Sequence, residues 1–164
     1  MSFTVWVTGP DRRRAEAVAD EIARRLAARQ LRVAVLDLRT PGIDAIAGEG
    51  AENRAAFVAA MLARHGVATV VALPVATRVA RQGPRAVLGR MIEVYVPSDP
   101  GLPATSYEAP DRPEAEVRDE SASDVERVLH TLEVLDFLPR AEDRGYSEEE
   151  EREVIRRLKA FGYL

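Results

Sequence analysis

The sequence contains no cysteine. Disulfides, thiolate nucleophiles and cysteine metal sites are excluded with it. The two histidines, His65 and His130, stand at no metal-ligand spacing and read as structural or surface groups, so no metal and no cofactor is expected. No run of about 18 apolar residues occurs, and the N-terminus has no charged segment leading into a long apolar one. Neither a membrane partner nor a leader is expected, and a cytoplasmic protein is the default. Lysine is reduced to Lys159 alone, a bias that fits genome composition better than function. No basic stripe carries interleaved aromatics, which argues against nucleic acid. The six serines include none in a G-x-S-x-G elbow.

What is present suits one α/β domain. At 164 residues and 46% hydrophobic, the chain is long enough to bury a real core. Its net charge of −4 is unevenly spread. Residues 1–92 hold 14 arginines against 8 acids, whereas residues 93–138 hold 3 arginines against 12 acids. A basic first half suits an anionic ligand or an acidic partner; ordinary surface charge is the blander account.

The most informative stretch is FTVWVTGPDRRRAEA, residues 3–17. Phe3 to Thr8 is a short apolar run rich in β-branched and aromatic residues and bounded by Gly9-Pro10, which predicts a buried strand. From Asp11 the period changes: Ala15, Val18, Ala19, Ile22, Ala23 and Leu26 recur at helical spacing. Strand, tight turn and helix form the setting of a phosphate-binding loop. The loop chemistry is missing. Counted from Gly9 in the pattern G-x-x-x-x-G-K-S/T, the second glycine is Arg14, the lysine is Ala15 and the hydroxyl is Glu16. Asp11 and Glu16 add negative charge where phosphates would lie. Gly9, Asp11, Arg12, Arg13, Arg14, Ala15 and Glu16 therefore read as a vestigial phosphate loop. Arg12 to Arg14 are either a solvated face or a replacement anion site built from guanidinium groups.

The chain continues in the same rhythm. A helix is predicted over 11–29, capped by Asp11, then a strand over 31–38. Pro41 and three glycines make a loop, and a helix over 51–64 stops at His65-Gly66. An apolar strand covers 67–73, as in the middle of a parallel sheet. A helix over 77–88 contains Gly83-Pro84, which should break or kink it. A strand covers 91–96, five prolines make 97–113 a loop, a short strand follows at 115–118, and a helix capped by Ser121 or Ser123 extends to about Phe137. The expected fold is α/β, a parallel five-stranded sheet sandwiched by helices over residues 1–138. Residues 139–164 read as a separate helical tail, with a capping box at Ser147 and Glu150 and one apolar stripe of Val154, Ile155, Leu158 and Phe161. That stripe must be covered by this domain, by self-association or by an unknown protein partner.

FTVWVTG, LRVAVLD, MLARHGVATVVA and MIEVYV, with Tyr107-Glu108-Ala109-Pro110 further on, resemble the adenylylsulfate kinase family. The resemblance implies a P-loop kinase-like fold and, in active members, transfer of the ATP γ-phosphoryl to the 3′-hydroxyl of adenylylsulfate. Departures accumulate at the family's motifs. Its D-G-D becomes Asp37-Leu38-Arg39, its E-N-I-R-R shortens to Glu52-Asn53-Arg54, its S-P-Y-R keeps only Arg78, and its lid shrinks to residues 97–106. The losses all fall on positioning and charge neutralisation, the two demands of phosphoryl transfer. No catalytic residue is assigned. The expectation is a non-catalytic, adenylylsulfate-kinase-like pseudoenzyme, a regulatory or structural partner module near sulfate activation. The alternative is a sensor binding adenylylsulfate or its 3′-phosphate (PAPS) through Asn53, Arg54 and Arg78, joined by Arg12 to Arg14, with Asp37 and Arg39 as further candidate ligand-binding residues. An active kinase with an aberrant loop is the third reading.

Overall fold

The computed structural model describes residues 2–45, 47–99, 106–118 and 122–139, with the isolated positions 152 and 156. Five strands, β1 (Thr4–Thr8), β2 (Arg32–Asp37), β3 (Val67–Ala72), β4 (Met91–Tyr95) and β5 (Ala115–Glu116), form one sheet in the order β2-β3-β1-β4-β5. Every pairing is parallel; Val5 lies opposite Val70 on one side and Ile92 on the other. The helices are α1 (Arg12–Ala28), α2 (Ala51–Arg64), α3 (Arg78–Val87) and α4 (Ala122–Val134), with a 3-10 turn at Ile43–Ala45.

Period-two alternation in the strands sorts the core into two layers. Val5 and Val7 point to one face and pack with Val18, Ile22 and Leu26 of α1 and Val125, Val128 and Leu132 of α4. Trp6 points to the other face and packs with Leu36, Val71 and the alanines Ala55, Ala56 and Ala59 of α2. Each large side chain so buried stabilises the fold by about 1.5–3 kcal/mol. A sheet covered on both faces needs strands without alternation in polarity, and all six residues of β3 are buried accordingly.

The expected element order is borne out, with strand and helix ends within a few residues. The break expected at Gly83-Pro84 does not occur: α3 runs through both residues. Pro84 forfeits one intrahelical hydrogen bond but is buried, so tertiary packing offsets the loss. A Cβ on Gly83 would stand 2.5 Å from Asn53 Oδ1, so the glycine is where α2 and α3 draw close. At the end of α2, His65 is the C-cap and Gly66 takes φ 72°, the left-handed conformation the His-Gly pair anticipates. Both histidines are exposed. The short last strand ends at Glu116 rather than Arg118. The tail stripe of Val154, Ile155, Leu158 and Phe161, its capping box and Lys159 lie outside the described residues, as do residues 100–105 of the shortened lid. Among the described residues no helix is long and apolar enough to cross a membrane.

Candidate functional site

The connection from β1 leads to one edge of the sheet, and the connection from β3 returns past β1 to β4 on its other side. Ligands of open α/β sheets sit beyond the strand C-termini at such a reversal, and here that place holds the β1–α1 turn. A Cβ on Gly9 would stand 2.3 Å from the carbonyl oxygen of Val96. Gly9 is thus required for the approach of the chain after β4, whose Val96 N–H donates to Thr8 O at 2.8 Å. The first amides of α1 are already engaged: Asp11 Oδ1 accepts from the N–H of Arg13 at 2.9 Å and of Arg14 at 3.3 Å. A helix N-terminus binds a phosphate through such free amides; here the chain's own carboxylate satisfies two of them.

The three arginines of the turn part company. Arg12 and Arg13 are exposed. Arg14 turns across the strand ends and donates to Pro97 O at 2.7 Å, to Asp99 Oδ1 at 2.9 Å and to Arg118 O. It is a strut between α1 and the segments after β4 and β5.

A second cluster joins the turn to the end of β2. Asp37, 2% exposed, accepts from the Arg39 amide at 2.7 Å and from Arg39 Nε at 3.1 Å. Arg39 also forms a two-pronged pair with Asp20, both contacts 2.9 Å, and lies 3.8 Å from Glu16 Oε2. Hydrogen bonds that Arg39 donates to Asp20, then to Asp37, raise its pKa above the ordinary value. Glu16, 7% exposed, has Arg12 Nε at 3.7 Å, and its Oε1 accepts no hydrogen bond. Two guanidinium groups, Arg39 and at its margin Arg12, therefore face three carboxylates. Asp20 went unnoticed in the sequence, although it stands one helical turn after Glu16.

The remaining expected ligand residues are spread along the edge. Arg54 folds back on Ala47 O and Glu49 O, at 3.0 and 2.7 Å. Asn53 is exposed beside Gly83. Arg78 pairs with Asp111 at 2.7 Å, while its amide donates to Glu108 Oε2 at 2.8 Å. The structure brings Asp37, Arg39 and Glu16 together; Asn53, Arg54 and Arg78 stand apart from them.

Sequence reasoning missed the buried network between these groups. Arg81, 4% exposed, donates through Nε to Glu93 Oε1 at 3.0 Å, through Nη1 to Val75 O at 2.8 Å and through Nη2 to Glu108 O. Its guanidinium lies 5.0 Å from the Tyr107 ring centroid. The Tyr107 hydroxyl meets Thr8 Oγ1 at 2.7 Å and its ring stacks on Tyr95. Burial raises the Tyr107 pKa against the lowering pull of Thr8 and Arg81, so the phenol stays protonated. The segment 107–110 is thereby strapped over the end of β1. The available signal was Glu93, a lone carboxylate inside the apolar run MIEVYV. Beside the strap a cleft of about 240 Å³ is lined by Arg78, Arg81, Arg85, Arg112, Asp111 and Glu114 among others. Burial raises the Glu114 pKa, but hydrogen bonds from Arg85 and the Glu93 amide leave it lowered overall.

Sheet order, the turn at its reversal and the flanking helices define a P-loop kinase-like α/β protein. Within that class the chain belongs to the adenylylsulphate kinase family, whose model matches residues 1–106. The hexameric APS kinase from Thiobacillus denitrificans is similar at a TM-score of 0.68 and 25% identity, over 84% of this chain and 30% of that one. This chain thus spans under a third of the Thiobacillus chain. The APS kinase of Mycobacterium tuberculosis, in complex with AMPPNP and APS, gives a TM-score of 0.64 at 23% identity over 80% of this chain and 98% of that one. A further structure of the M. tuberculosis enzyme gives 0.61 at 24%, over 85% and 98%. No curated protein sequence matches the chain.

Proposed function

We propose that this member of the family is a non-catalytic module, regulatory or structural, that works through a protein partner in sulfate activation. The observation that carries the proposal is the capping of α1: Asp11 holds the amides of Arg13 and Arg14 that a phosphate would need. Supporting it, Ala15 and Glu16 stand at the lysine and hydroxyl positions of the loop, and Glu16 is buried beside Arg39, where it adds charge of the wrong sign for a triphosphate. The domain of residues 1–138 is then the module and residues 139–164 its appendage. The exposed Phe57 and Met61 of α2 form one apolar surface, and the tail sequence supplies a second apolar set in Val154, Ile155, Leu158 and Phe161.

A second reading is a sensor of adenylylsulfate or PAPS. The arginine-lined cleft favours it, since Arg78 and Arg112 lie exposed at its wall and suit a sulfate or phosphate group. The similar M. tuberculosis APS kinase structure is a complex with AMPPNP and APS.

A thermal-shift titration with adenylylsulfate, PAPS and Mg-ATP, beside a turnover assay, tests both. A ligand at roughly 100 times its dissociation constant adds about 2.7 kcal/mol, several degrees for a domain of this size. The expected result is no turnover and no shift with Mg-ATP. A shift with the sulfated nucleotides alone selects the sensor. ATP-dependent turnover by the pure protein, abolished by substitution near Gly9, refutes the proposal.

A further inference from the structure

We infer that residues 148–161 of this chain dock in cis on the outer face of α2 and α3. This rests on surface and sequence, and not on whether the phosphate loop is dead. On α2 a single stripe runs Arg54, Phe57, Met61, Arg64, in which Phe57 is 64% and Met61 41% exposed. Val87 on α3, 57% exposed, lines a cavity with Ala60, Ala63 and Arg64 of α2. Between the two helices at the foot of the sheet lies a cavity of about 150 Å³ walled by Phe3, Ala60, Ala63, Leu88 and Arg90 with Val87. Arg64 belongs both to this cavity wall and to the α2 stripe, so the cavity and the exposed Phe57 and Met61 lie along one helix, uncovered by the described residues.

The chain leaves the described fold beside this cavity. Phe137 stacks on Phe3 with 6.2 Å between ring centroids. Arg90 lies 4.6 Å over the Phe137 ring and donates to Asp136 O at 2.8 Å. Phe3 and Arg90 belong to the cavity wall, so residue 139 begins at its margin. The eight residues 140–147 reach about 26–29 Å when extended. That exceeds the length of α2, 14 residues or about 21 Å.

The segment beyond matches this face in kind. Val154, Ile155, Leu158 and Phe161 recur at helical spacing and need apolar cover. Glu148 to Glu151 and Glu153 stand before or beside them, as do Arg152, Arg156, Arg157 and Lys159, so the match is chiefly apolar. The α2 stripe offers Phe57 and Met61 between Arg54, which bonds Ala47 O and Glu49 O, and Arg64. The tether makes this chain's own segment the occupant, because it holds the segment at an effective concentration in the millimolar range.

The native chain has no cysteine, so engineered pairs report proximity cleanly. Met61→Cys/Leu158→Cys is compared with Val134→Cys/Leu158→Cys in the full chain under mild oxidation. Val134 is also exposed, sits on α4 in the opposite layer, and is nearer to Leu158 in sequence, so tethering alone favours the second pair. The expected result is an intrachain disulfide that forms at least about tenfold faster for the Met61 pair. Equal rates, the reverse order, or a disulfide-linked dimer through the Met61 pair overturns the inference; the dimer would assign this face to a second copy. In the same chain, Phe57→Glu should speed amide exchange of residues 152–161 by about tenfold while α1 stays protected. Unchanged exchange with α1 protected refutes docking.

Discussion

Arg81→Met is the sharpest perturbation of this molecule. The Arg81 side chain is 4% exposed, and its guanidinium serves Glu93, Val75 O and Glu108 O at once. Methionine fills much of the same volume without charge, so little of the effect will come from a cavity. The loss is electrostatic: Glu93, 8% exposed, keeps only Arg85 at 3.6 Å as a counterion, and two carbonyls lose a donor. Breaking a buried ion pair on one side costs about 3–5 kcal/mol. For a domain this long that is a fall in Tm of roughly 6–20 °C. Removing both partners is different in kind, because no buried charge is left stranded. Arg81→Met/Glu93→Met should therefore recover more than half of the loss and be far less unstable than the sum of the two single variants. Urea unfolding of the two single variants and the double measures the cycle. Hydrogen exchange should also show residues 107–110 released in Arg81→Met, since their strap loses its anchor. A single-variant cost under about 1 kcal/mol, or a double variant as unstable as the sum of the singles, would refute the assignment of this pair as the keystone of the strand edge.

Other outcomes follow from the same geometry. Gly9→Ala pushes a methyl group to 2.3 Å from Val96 O and should cost about 1–3 kcal/mol in urea unfolding, far more than glycine-to-alanine at an open position such as Gly89. Asp11→Ala frees two amides of α1 and should cost about 1 kcal/mol, with asparagine keeping most of the cap. Calorimetry of the two variants separates capping from charge. Glu21 is held at about 2 by hydrogen bonds from Arg24 and then Arg25, below its ordinary 4.5. Its folded-state pKa is depressed, so its contribution is present above pH 4.5 and is lost as pH falls through about 2. The pair is well solvated, so Glu21→Gln should remove less than about 1 kcal/mol at pH 7 and nothing near pH 2, read from Tm against pH.

Much of the fold was legible in the sequence. Val5 and Val7 on one face and Trp6 on the other follow from period two. The stripe of Val18, Ile22 and Leu26 follows from period 3.6. Asp11 announces its own capping role by standing just before an apolar-periodic run. These signals are local, and local chemistry fixes them before any tertiary contact forms. For the site the sequence carries an expectation: counted from Gly9, Arg14, Ala15 and Glu16 fall where a phosphate loop has glycine, lysine and a hydroxyl.

What the tertiary structure decided is where the charges go. A basic first half beside an acidic second half suggested an external anion or partner. The folded chain answers much of it internally: Arg25 and Arg29 meet Glu126, Arg29 meets Glu133, Arg78 meets Asp111, and Arg85 meets Glu114. The same holds for Arg14, which left its exposed neighbours to brace three segments, and for the burial of Arg81 against Glu93. A guanidinium takes its role from partners that lie tens of residues away in sequence, and only the packing of α3 and the 107–114 segment against the sheet brings them within reach. Helix and strand periods record which side of an element is apolar; they carry no record of which distant carboxylate will face a given arginine.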